Sequence, residues 1–531
     1  MPSVMAHQFS QVPSAEIPRS SFNRSHGYKT TFDAGYLIPI FIDEALPGDT
    51  FNLNMAGFAR LATPLHPFMD NLFMHTFFFA VPVRLIWDNW QKFNGEQDNP
   101  ADSTDFLVPT MESPVGGYTN QSLSDYFGIP TGVAELEHCS FWHRAYNLVW
   151  NEWFRDENLQ DSVVVDKDDG PDLHTDYVLK RRGKRHDYFT SALPWPQKGP
   201  AVELPLGQDA PVKGIAMAST AAGPQAGGGS RLETGNSGFP TTYISEWTTS
   251  SSAGGPIAIE ENQNDLGFPA IYTDLSEATA ATINQLRQAF QIQKLYERDA
   301  RGGTRYTEII RAHFGVTSPD ARLQRPEYLG GGSSPINVAP VAQTSGTEAG
   351  TPQGNLAAVG TASIAGHGFT KSFTEHCVLI GLVSVRADIS YQQGLPRMFS
   401  RQTRWDFYWP ALSHIGEQTI LNKEIFAKGG IDPFDDSVFG YQERFAEYRY
   451  KPSHITGRFR SSHPQSLDTW HLAQDFATDP VLNEEFIEDD PPVDRVIALT
   501  NEPQFLFDSY FNLHCARPMP IFGVPGLIDH F

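Results

Sequence analysis

The sequence predicts a mainly β protein whose strands come from both ends of the chain and form one interrupted β-sandwich. Near the N-terminus, two runs of β-branched and aromatic residues are bounded by proline or glycine: GYLIPIFIDEALPGD and NLFMHTFFFAVPVRLIW. The same pattern returns near the C-terminus in CVLIGLVSVRADISY and QFLFDSYFNLHCARPMPIF. The 531 residues include 44 glycines and 39 prolines, which favour turns over long helices. With 37 phenylalanines, the chain can also bury a sizeable core.

Two regions carry the spacing of helices. Residues 135–156 place Trp142, Ala145, Leu148, Val149 and Trp153 at helical intervals, which predicts an amphipathic helix with an aromatic face. SEATAATINQLRQAFQIQKLYERDARGG predicts a second helix with Ser276 as its N-cap and Gly302 as its end, and TRYTEIIRAHFG predicts a short third one. The pair Gly302-Gly303 is therefore interpreted as a turn between helices.

Three segments are poor in large apolar side chains. Residues 1–30 read as a slightly basic N-terminal arm. Residues 207–272 hold 11 Gly and 13 Ser or Thr, which predicts a long surface insertion. Residues 329–370 contain one charged residue, Glu348, and are expected to form a Gly/Ser-rich interface loop.

The net charge of −23 speaks against a general nucleic-acid binder, because affinity for DNA depends on neutralising phosphates. Any contact with nucleic acid is expected to be local or to be carried by a separate basic partner. Arginine outnumbers lysine 27 to 12, and its planar guanidinium suits protein interfaces.

Targeting and redox signals are sparse. Three cysteines, Cys139, Cys377 and Cys515, lie far apart and suggest no disulfide framework, in keeping with a reducing cytoplasm. The first residues show no signal-peptide pattern, and the richest apolar run is interrupted by His75, Pro82 and Arg84, so no membrane insertion is expected.

The chain lacks the common catalytic and metal-binding motifs. It contains no GxxxxGK[ST], HExxH, CxxC or GxSxG string. DKDDGPD at 166–172 is interpreted as a solvated acidic turn, with a weak calcium site as the alternative. Cys139 and His143 are expected to share a helix face as core residues, with no acid to orient them. We therefore expect no catalytic residue, no metal site and no cofactor.

One basic string lies beside aromatic residues. The string KRRGKRH at 180–186 precedes DYFTSALPWPQKGP. Basic charge with nearby aromatic rings can bind single-stranded nucleic acid through ion pairing and stacking. The alternative interpretation is a protein interface or a solvated loop. The candidate DNA-facing residues are Lys180, Arg181, Arg182, Lys184 and Arg185, together with Arg19, Arg24 and Lys29 of the arm.

A second string concentrates arginine without lysine. ERDARGGTRYTEIIRAHFGVTSPDARLQRPEYLGGG, residues 297–332, has six arginines and five acids. Mixed charge of this kind gives direction and register to repeated protein contacts. We predict a subunit interface, with DNA contact through Arg301 or Arg305 as the alternative; the candidate interface residues are Arg298, Arg301, Arg305, Arg311, Arg322 and Arg325.

That string resembles the signature stretch of the major capsid proteins of the Microviridae, in particular the gokushovirus branch of small single-stranded DNA bacteriophages. Four further strings are similar to the same family and occur in its order: SFNRSHGYKTTFDAGYLIPIFIDEALPGDTF, PLHPFMDNLFMHTFFFAVPVRLIWDNW, KRHDYFTSALPWPQKGPAV and RQTRWDFYWPALSHIGEQTI. The resemblance covers nearly the whole chain except 207–272, the region that varies in the family.

The resemblance implies a fold and a set of partners. The fold would be a single capsid domain over 1–531, an eight-stranded jelly roll with large inserted loops and a few helices. Pentamers and a shell of sixty copies would enclose a circular single-stranded DNA genome, with 207–272 protruding at the threefold axes toward a host surface receptor. Further partners would be a small basic DNA-binding protein, a DNA pilot protein and an internal scaffolding protein. The protein would be located in the virion after assembly in the host bacterial cytoplasm.

A carbohydrate-binding or carbohydrate-cleaving β-sandwich is the alternative hypothesis. The sequence offers it little support, because no signal peptide, disulfide pattern or carboxylate pair is evident.

Overall fold

The computed structural model describes residues 18–199, 202, 212–213, 215–217, 257–259, 272–273, 283–317, 324–349, 352–430 and 433–522. These residues belong to two compact units. The first comprises Met1–Pro196 and Gly303–Phe531, and the second comprises Gln197–Gly302. The chain expected as one domain therefore carries its central part as a separate unit.

One large antiparallel sheet forms the first unit. Its strands, in the order in which they pair, are Ser20–Asn23, Phe505–Arg517, Thr50–Leu61, Leu356–Ser372, Glu327–Ala342, Leu72–Pro82, Cys377–Ala387 and Ile38–Ala45. Strand His26–Phe32 also pairs with Phe505–Arg517. The two edges of the sheet approach each other, since the rings of Phe41 and Phe511 lie 5.3 Å apart and Arg24 pairs with Asp43. The mainly β prediction is confirmed, and the curled sheet is that of a jelly-roll protein.

Alternating side chains explain why these strands form and where the core lies. Along Phe505–Arg517, buried and exposed residues alternate for eleven positions, which is the period of a strand with one face in the core. Phe51, Phe505 and Phe511 are fully buried inside the curl. Strand Cys377–Ala387 is buried on both faces because a second core, around Trp87 and the helix Phe141–Val149, covers its outer side.

The prediction of a loop at 329–370 is wrong. This segment forms most of the two longest strands, Glu327–Ala342 and Leu356–Ser372. Its glycines allow backbones to approach closely: a Cβ at Gly368 would lie 1.9 Å from the carbonyl oxygen of Leu53. The absence of large side chains therefore reflects tight strand packing and not a loop. Its proposed interface role remains a prediction.

The expected arm at 1–30 is also partly wrong. Residues 1–17 lie outside the described part of the chain. Ser20–Asn23 and His26–Phe32 are strands that pair with the C-terminal strand, with Phe22 opposite Cys515 and Phe32 opposite Phe505. The two ends of the described chain thus meet in the sheet.

The helices are short and lie between strands. In the first unit they are Trp90–Phe93, Leu123–Tyr126, Phe141–Val149, Tyr306–Phe314, Asn422–Ile425 and Glu484–Ile487. Phe141–Val149 continues into a π-helical turn, Trp150–Phe154, so the predicted aromatic helix exists but begins six residues later than expected. Gly315, in the left-handed conformation, ends helix Tyr306–Phe314 as predicted.

Smaller strand pairs are Thr110–Glu112 with Glu137–Cys139, Glu417–Leu421 with Val438–Glu443, and Ser390–Tyr391 with Ser453–His454.

Among its described residues, the second unit contains the predicted helix and four short strands. The helix runs from Ile283 to Gly302 and ends at the predicted glycine, whereas the predicted cap Ser276 lies outside the described residues. Val212–Lys213 pairs with Tyr272–Thr273, and Ile215–Met217 pairs with Ile257–Ile259. Apart from these strands, the predicted insertion at 207–272 lies outside the described residues.

Candidate nucleic-acid interface

A cavity of about 700 Å³ lies in the first unit where the KRRGKRH segment crosses the large sheet. Strands Leu72–Pro82, Glu327–Ala342 and Cys377–Ala387 each contribute a side chain to it. Its lining divides into two chemical classes. The aromatic side chains are Phe77, Phe79, Trp153, Phe154 and Tyr328, and the cationic ones are Arg155, Arg182, Lys184, Arg185, Arg305 and Arg386.

The aromatic wall is built by strand periodicity and by the π-helical turn. Phe77 and Phe79 are two residues apart on one strand and therefore point to the same face. Phe77 packs edge-on against Phe154 at 5.2 Å between ring centroids, and Phe79 packs against Tyr328 at 5.6 Å. Trp153 Nε1 donates a hydrogen bond to the Pro326 carbonyl oxygen at 2.9 Å. These contacts hold the rings in place. Trp153 and Tyr328 are 37% and 42% exposed, whereas Phe79 is buried, so the first two offer the ring surface that a ligand could reach.

The cationic wall is electrostatically strained. Burial and, to a smaller extent, the charge of Arg386 together lower the pKa of Arg182 to about 10. Burial also lowers the pKa of Arg386. The Arg182 guanidinium lies 4.9 Å from the Phe77 ring, and among the described residues its Nη1 has no hydrogen-bond partner. An anion entering the cavity would relieve both the desolvation and the repulsion.

Acids around the cavity neutralise only part of this positive charge. Arg185 pairs with Asp388 at 3.3 Å, and Arg305 pairs with three glutamates of its own chain. Asp156, the one acid in the lining, accepts hydrogen bonds from the backbone N–H groups of Asn158 and Leu159. Asp489 lies behind the cations, and burial raises its pKa to about 7 even though Arg386 and Lys184 act in the opposite direction. The cavity is therefore a cationic site in a chain whose net charge is −23.

The structure places the predicted DNA-facing residues in three locations. Arg182, Lys184 and Arg185 line the cavity, although the Lys184 ammonium donates to the Phe486 carbonyl oxygen at 2.6 Å. Lys180 lies 5.4 Å from the Trp150 ring, and Arg181 pairs with Asp490 at 2.8 Å. The three residues of the arm lie at the sheet edge: Arg19 contacts Thr50, Arg24 pairs with Asp43, and Lys29 pairs with Asp508 at 3.2 Å.

The five described candidate interface arginines have different surroundings. Arg298 and Arg301 are exposed on helix Ile283–Gly302, and Arg311 is exposed on helix Tyr306–Phe314. Arg322 lies outside the described residues. Arg325 stacks on Trp153 at 4.5 Å. Arg305 is 16% exposed and pairs with Glu152, Glu157 and Glu308 of its own chain while lining the cavity.

The combination of fixed rings and unsatisfied guanidinium groups suits single-stranded nucleic acid. Bases stack on aromatic faces, and cations bind the phosphates between them. The sequence pointed to residues 180–186 but not to Arg155, Arg386 or Tyr328, which come from distant segments. The one local signal for this wall is the alternation that places Phe77 and Phe79 on one face.

The other candidate sites have structural explanations. The expectation of a solvated turn at 166–172 is wrong for Asp172, which is buried and accepts hydrogen bonds from Arg144. The prediction that Cys139 and His143 share a helix face is also wrong, because Cys139 ends strand Glu137–Cys139.

Across the described residues, no group of three His, Cys, Asp or Glu side chains is arranged to hold a metal ion. Within the same residues, no helix is long and apolar enough to cross a membrane.

Comparison with known proteins assigns the family. The model of the family described as capsid protein (F protein) matches residues 10–527. The chain is 52% identical to capsid protein VP1 of Bdellovibrio phage phiMH2K, over 99% of this chain and 98% of that protein. It is 46% identical to VP1 of Chlamydia phage 1 (99% and 98% covered) and 38% identical to VP1 of Spiroplasma virus 4 (98% and 97% covered). All three viruses are gokushoviruses. The chain therefore belongs to the phage capsid (F protein) family, and it is a structural subunit of the virion and not an enzyme.

Proposed function

We propose that sixty copies of this chain assemble, through pentamers, into a small icosahedral shell around a circular single-stranded DNA genome, and that the cationic cavity contacts that DNA. Self-assembly is the common property of the capsid family. The observation that carries the DNA contact is the pairing of half-buried, partly unsatisfied guanidinium groups with fixed aromatic rings in one cavity.

The charge of the whole chain supports additional partners. At −23 per copy, the shell repels DNA unless the cations are concentrated at local sites or a basic partner neutralises the phosphates. We infer that a small basic DNA-binding protein accompanies the genome, with a DNA pilot protein and, during assembly in the bacterial cytoplasm, an internal scaffolding protein. The insertion at 207–272 is proposed to protrude at the threefold axes and to contact a host surface receptor.

Binding of labelled oligothymidylate tests the DNA contact. Arg182→Met and Arg386→Met together remove two cations from the cavity and retain unbranched apolar side chains. We expect about a tenfold loss of affinity at low salt. The slope of log K against log salt should fall by about 1.4, because each single-strand phosphate contact contributes about 0.7.

Arg60→Met is the matched control, since Arg60 is exposed on strand Thr50–Leu61 outside the cavity. It should leave both the affinity and the salt slope within error of the wild type. Equal binding by the double variant and the wild type would contradict the proposed DNA contact without affecting the assembly proposal.

Sedimentation velocity tests assembly. The purified protein is measured alone and after co-production with an internal scaffolding protein. Pentamers or closed shells are expected in at least one condition. A monomer in both conditions would contradict assembly through contacts of this chain.

A further inference from the structure

An exposed group of aromatic side chains lies on the first unit, away from the cavity. We call it the aromatic platform; it consists of Met398, Phe399, Trp405, Phe407, Tyr408 and Trp409, which are between 42% and 67% exposed. Met398 and Phe399 belong to the 3₁₀ turn Arg397–Phe399, and Trp405 belongs to the 3₁₀ turn Arg404–Asp406. Phe407, Tyr408 and Trp409 lie between that turn and a third one, Pro410–Leu412. Trp, Tyr and Arg are the residues that contribute most to protein–protein binding, and soluble proteins rarely expose so many together.

The platform is held rigid although it faces solvent. Asp406 accepts hydrogen bonds from the backbone N–H groups of Gln402 at 3.0 Å and Thr403 at 2.7 Å, which fixes the start of its turn. The Arg404 guanidinium lies 4.7 Å from the Trp409 ring, and Trp409 Nε1 donates to the Arg404 carbonyl oxygen at 3.2 Å. Little side-chain entropy remains to be lost when a partner binds.

The surroundings of the platform are basic. The segments 395–415 and 441–451 contact each other, since Arg444 Nη2 donates a hydrogen bond to the Trp405 carbonyl oxygen at 2.8 Å. Together they hold six Arg or Lys and three Asp or Glu. Three of these cations are paired with carboxylates, Arg397 with Glu424, Arg401 with Glu447 and Arg449 with Glu443. The local excess of positive charge therefore comes from Arg404, Arg444 and Lys451 beside Asp406. A complementary surface should therefore be acidic and should offer apolar contacts.

Another surface of the same unit has these properties. Residues 93–143 contain eight Asp or Glu and no Arg or Lys. Within this stretch, a cavity of about 520 Å³ is lined by Leu107, Glu112, Glu135, Glu137 and others. Leu107 is 83% exposed and nearby Val115 is 84% exposed. We call Leu107, Glu112, Val115, Glu135 and Glu137 the acidic face.

We propose that the aromatic platform of one copy docks on the acidic face of a second copy of this chain. Arg404 would meet the carboxylates of Glu112 and Glu137, and the tryptophan rings would cover Leu107 and Val115. Val108 and Met111, which adjoin the acidic face in the chain, belong to the core around Trp87. The platform is instead linked to strand Glu417–Leu421, since Arg397 donates a hydrogen bond to the Thr419 carbonyl oxygen at 2.6 Å. The contact therefore joins two different surfaces, and such head-to-tail contacts close into rings when the rotation permits. The proposal rests on self-assembly and adds the surfaces that perform it.

Single-stranded DNA fits the platform less well than another copy does. Arg397 pairs with Glu424 at 2.8 Å and Arg401 pairs with Glu447 at 3.2 Å, so two of the local cations are already engaged by carboxylates. Base stacking alone would leave the phosphates next to Asp406 and Glu443. DNA binding at the platform is therefore tested as a contrary outcome.

Charge reversal tests the contact. Arg404→Glu and Trp405→Ser are each co-produced with the scaffolding protein, and sedimentation velocity measures the fraction of protein in particles. We expect about a tenfold decrease in that fraction for each variant. Adding Glu112→Arg to Arg404→Glu should restore particles, because every copy then carries both reversed charges. Arg60→Glu is the control for reversal of an exposed charge outside both surfaces.

Thermal unfolding of the unassembled variants shows whether each one folds. Both substituted residues are surface-exposed, so midpoints close to that of the wild type are expected. Normal particle yield from Arg404→Glu and Trp405→Ser, with an assembling wild type, would overturn the docking proposal and leave the shell intact. Normal yield with weakened oligothymidylate binding would overturn it in favour of a DNA-stacking surface. A wild type that never assembles would contradict both proposals.

Discussion

Arg144 and Asp172 form an ion pair inside the protein, with side-chain exposures of 0% and 1%. Arg144 Nε donates to Asp172 Oδ2 at 2.7 Å, and a second hydrogen bond joins Nη2 to Oδ1. Tyr177 donates to the same carboxylate at 2.8 Å. The pair fastens the aromatic helix Phe141–Val149 to the acidic segment 166–172, which is why that segment is ordered against the second core.

Removing one member of this pair should destabilise the fold strongly. In Arg144→Met, the carboxylate of Asp172 would stay buried without its countercharge, which typically costs about 3 to 5 kcal/mol. Urea unfolding of the unassembled protein measures the effect. Lys29→Met breaks the exposed pair with Asp508, whose side chains are 77% and 55% exposed, and should change stability by less than about 1 kcal/mol. Equal effects of the two variants would contradict the assigned role of Arg144.

Gly331 should not tolerate a side chain. Its φ is 155°, and a Cβ would lie 2.0 Å from the Thr76 carbonyl oxygen on the neighbouring strand. Gly331→Ala must separate strands Glu327–Ala342 and Leu72–Pro82, so we expect a lower thermal midpoint and less folded protein. Gly116→Ala is the control, because a Cβ there meets no atom within 4 Å and is expected to be neutral. An unchanged midpoint for Gly331→Ala would refute the close approach.

Asp489 should make stability depend on pH. Burial raises the pKa of this carboxyl from 3.8 to about 7, so between about pH 4 and pH 7 the folded protein holds a proton that the unfolded chain has released. The contribution of Asp489 to the free energy of unfolding therefore decreases as pH rises through this window, by up to about 1.4 kcal/mol per pH unit.

Comparison with Asp489→Asn isolates this contribution. Urea titrations at about pH 5, 6 and 7 give the free energy of unfolding of the wild type and of the variant. The wild-type value minus the variant value should fall as pH rises. Asp490→Asn, at a side chain that is 71% exposed, is the neighbouring control. A difference that is constant with pH would show that Asp489 does not titrate in this range.

Arg305 should act within the folded subunit. From the sequence, Arg305→Ala is expected to lower the yield of particles through a lost subunit contact, and normal yield with less DNA would favour the DNA alternative. In the structure its guanidinium lies 3.1 Å from Glu308 and 3.5 Å from Glu152 and also pairs with Glu157. Arg305→Met should therefore lower the free energy of unfolding of the unassembled protein by about 3 kcal/mol.

The stability measurement separates these roles. Arg311→Met, at an exposed position on the next helix, should leave the stability unchanged. If Arg305→Met were as stable as the wild type but formed fewer particles, the intersubunit role would be supported instead.

The strands with large side chains were predictable, and the strands of small residues were not. QFLFDSYFNLHCARPMPIF alternates large apolar and polar residues, and it forms strand Phe505–Arg517 as predicted. Residues 329–370 lack that signal because their glycines are needed where neighbouring backbones touch, as at Gly331 and Gly368. A requirement for close approach to Thr76 and Leu53 leaves no local trace that distinguishes such a strand from a loop.

The candidate site was predictable only in part. The KRRGKRH string indicated a basic segment beside aromatic residues, and three of its cations do line the cavity. Arg386 and Tyr328 join them from strands that lie more than a hundred residues away in the chain. The sequence also could not reveal that Arg181 is engaged by Asp490 while Arg182 is half-buried, with its Nη1 atom buried and unsatisfied among the described residues.

The sequence by itself determined the mainly β class, the helix ends at Gly302 and Gly315, and the family resemblance that the family match confirms. It could do so because side-chain alternation, glycines that end helices and long motifs are local properties of a chain. Only the tertiary structure decided which cations remain unpaired, which carboxylates are buried and which aromatic rings face solvent. Those properties depend on desolvation and on charges brought together from distant segments, so they arise only when the sheet curls and its insertions pack against it.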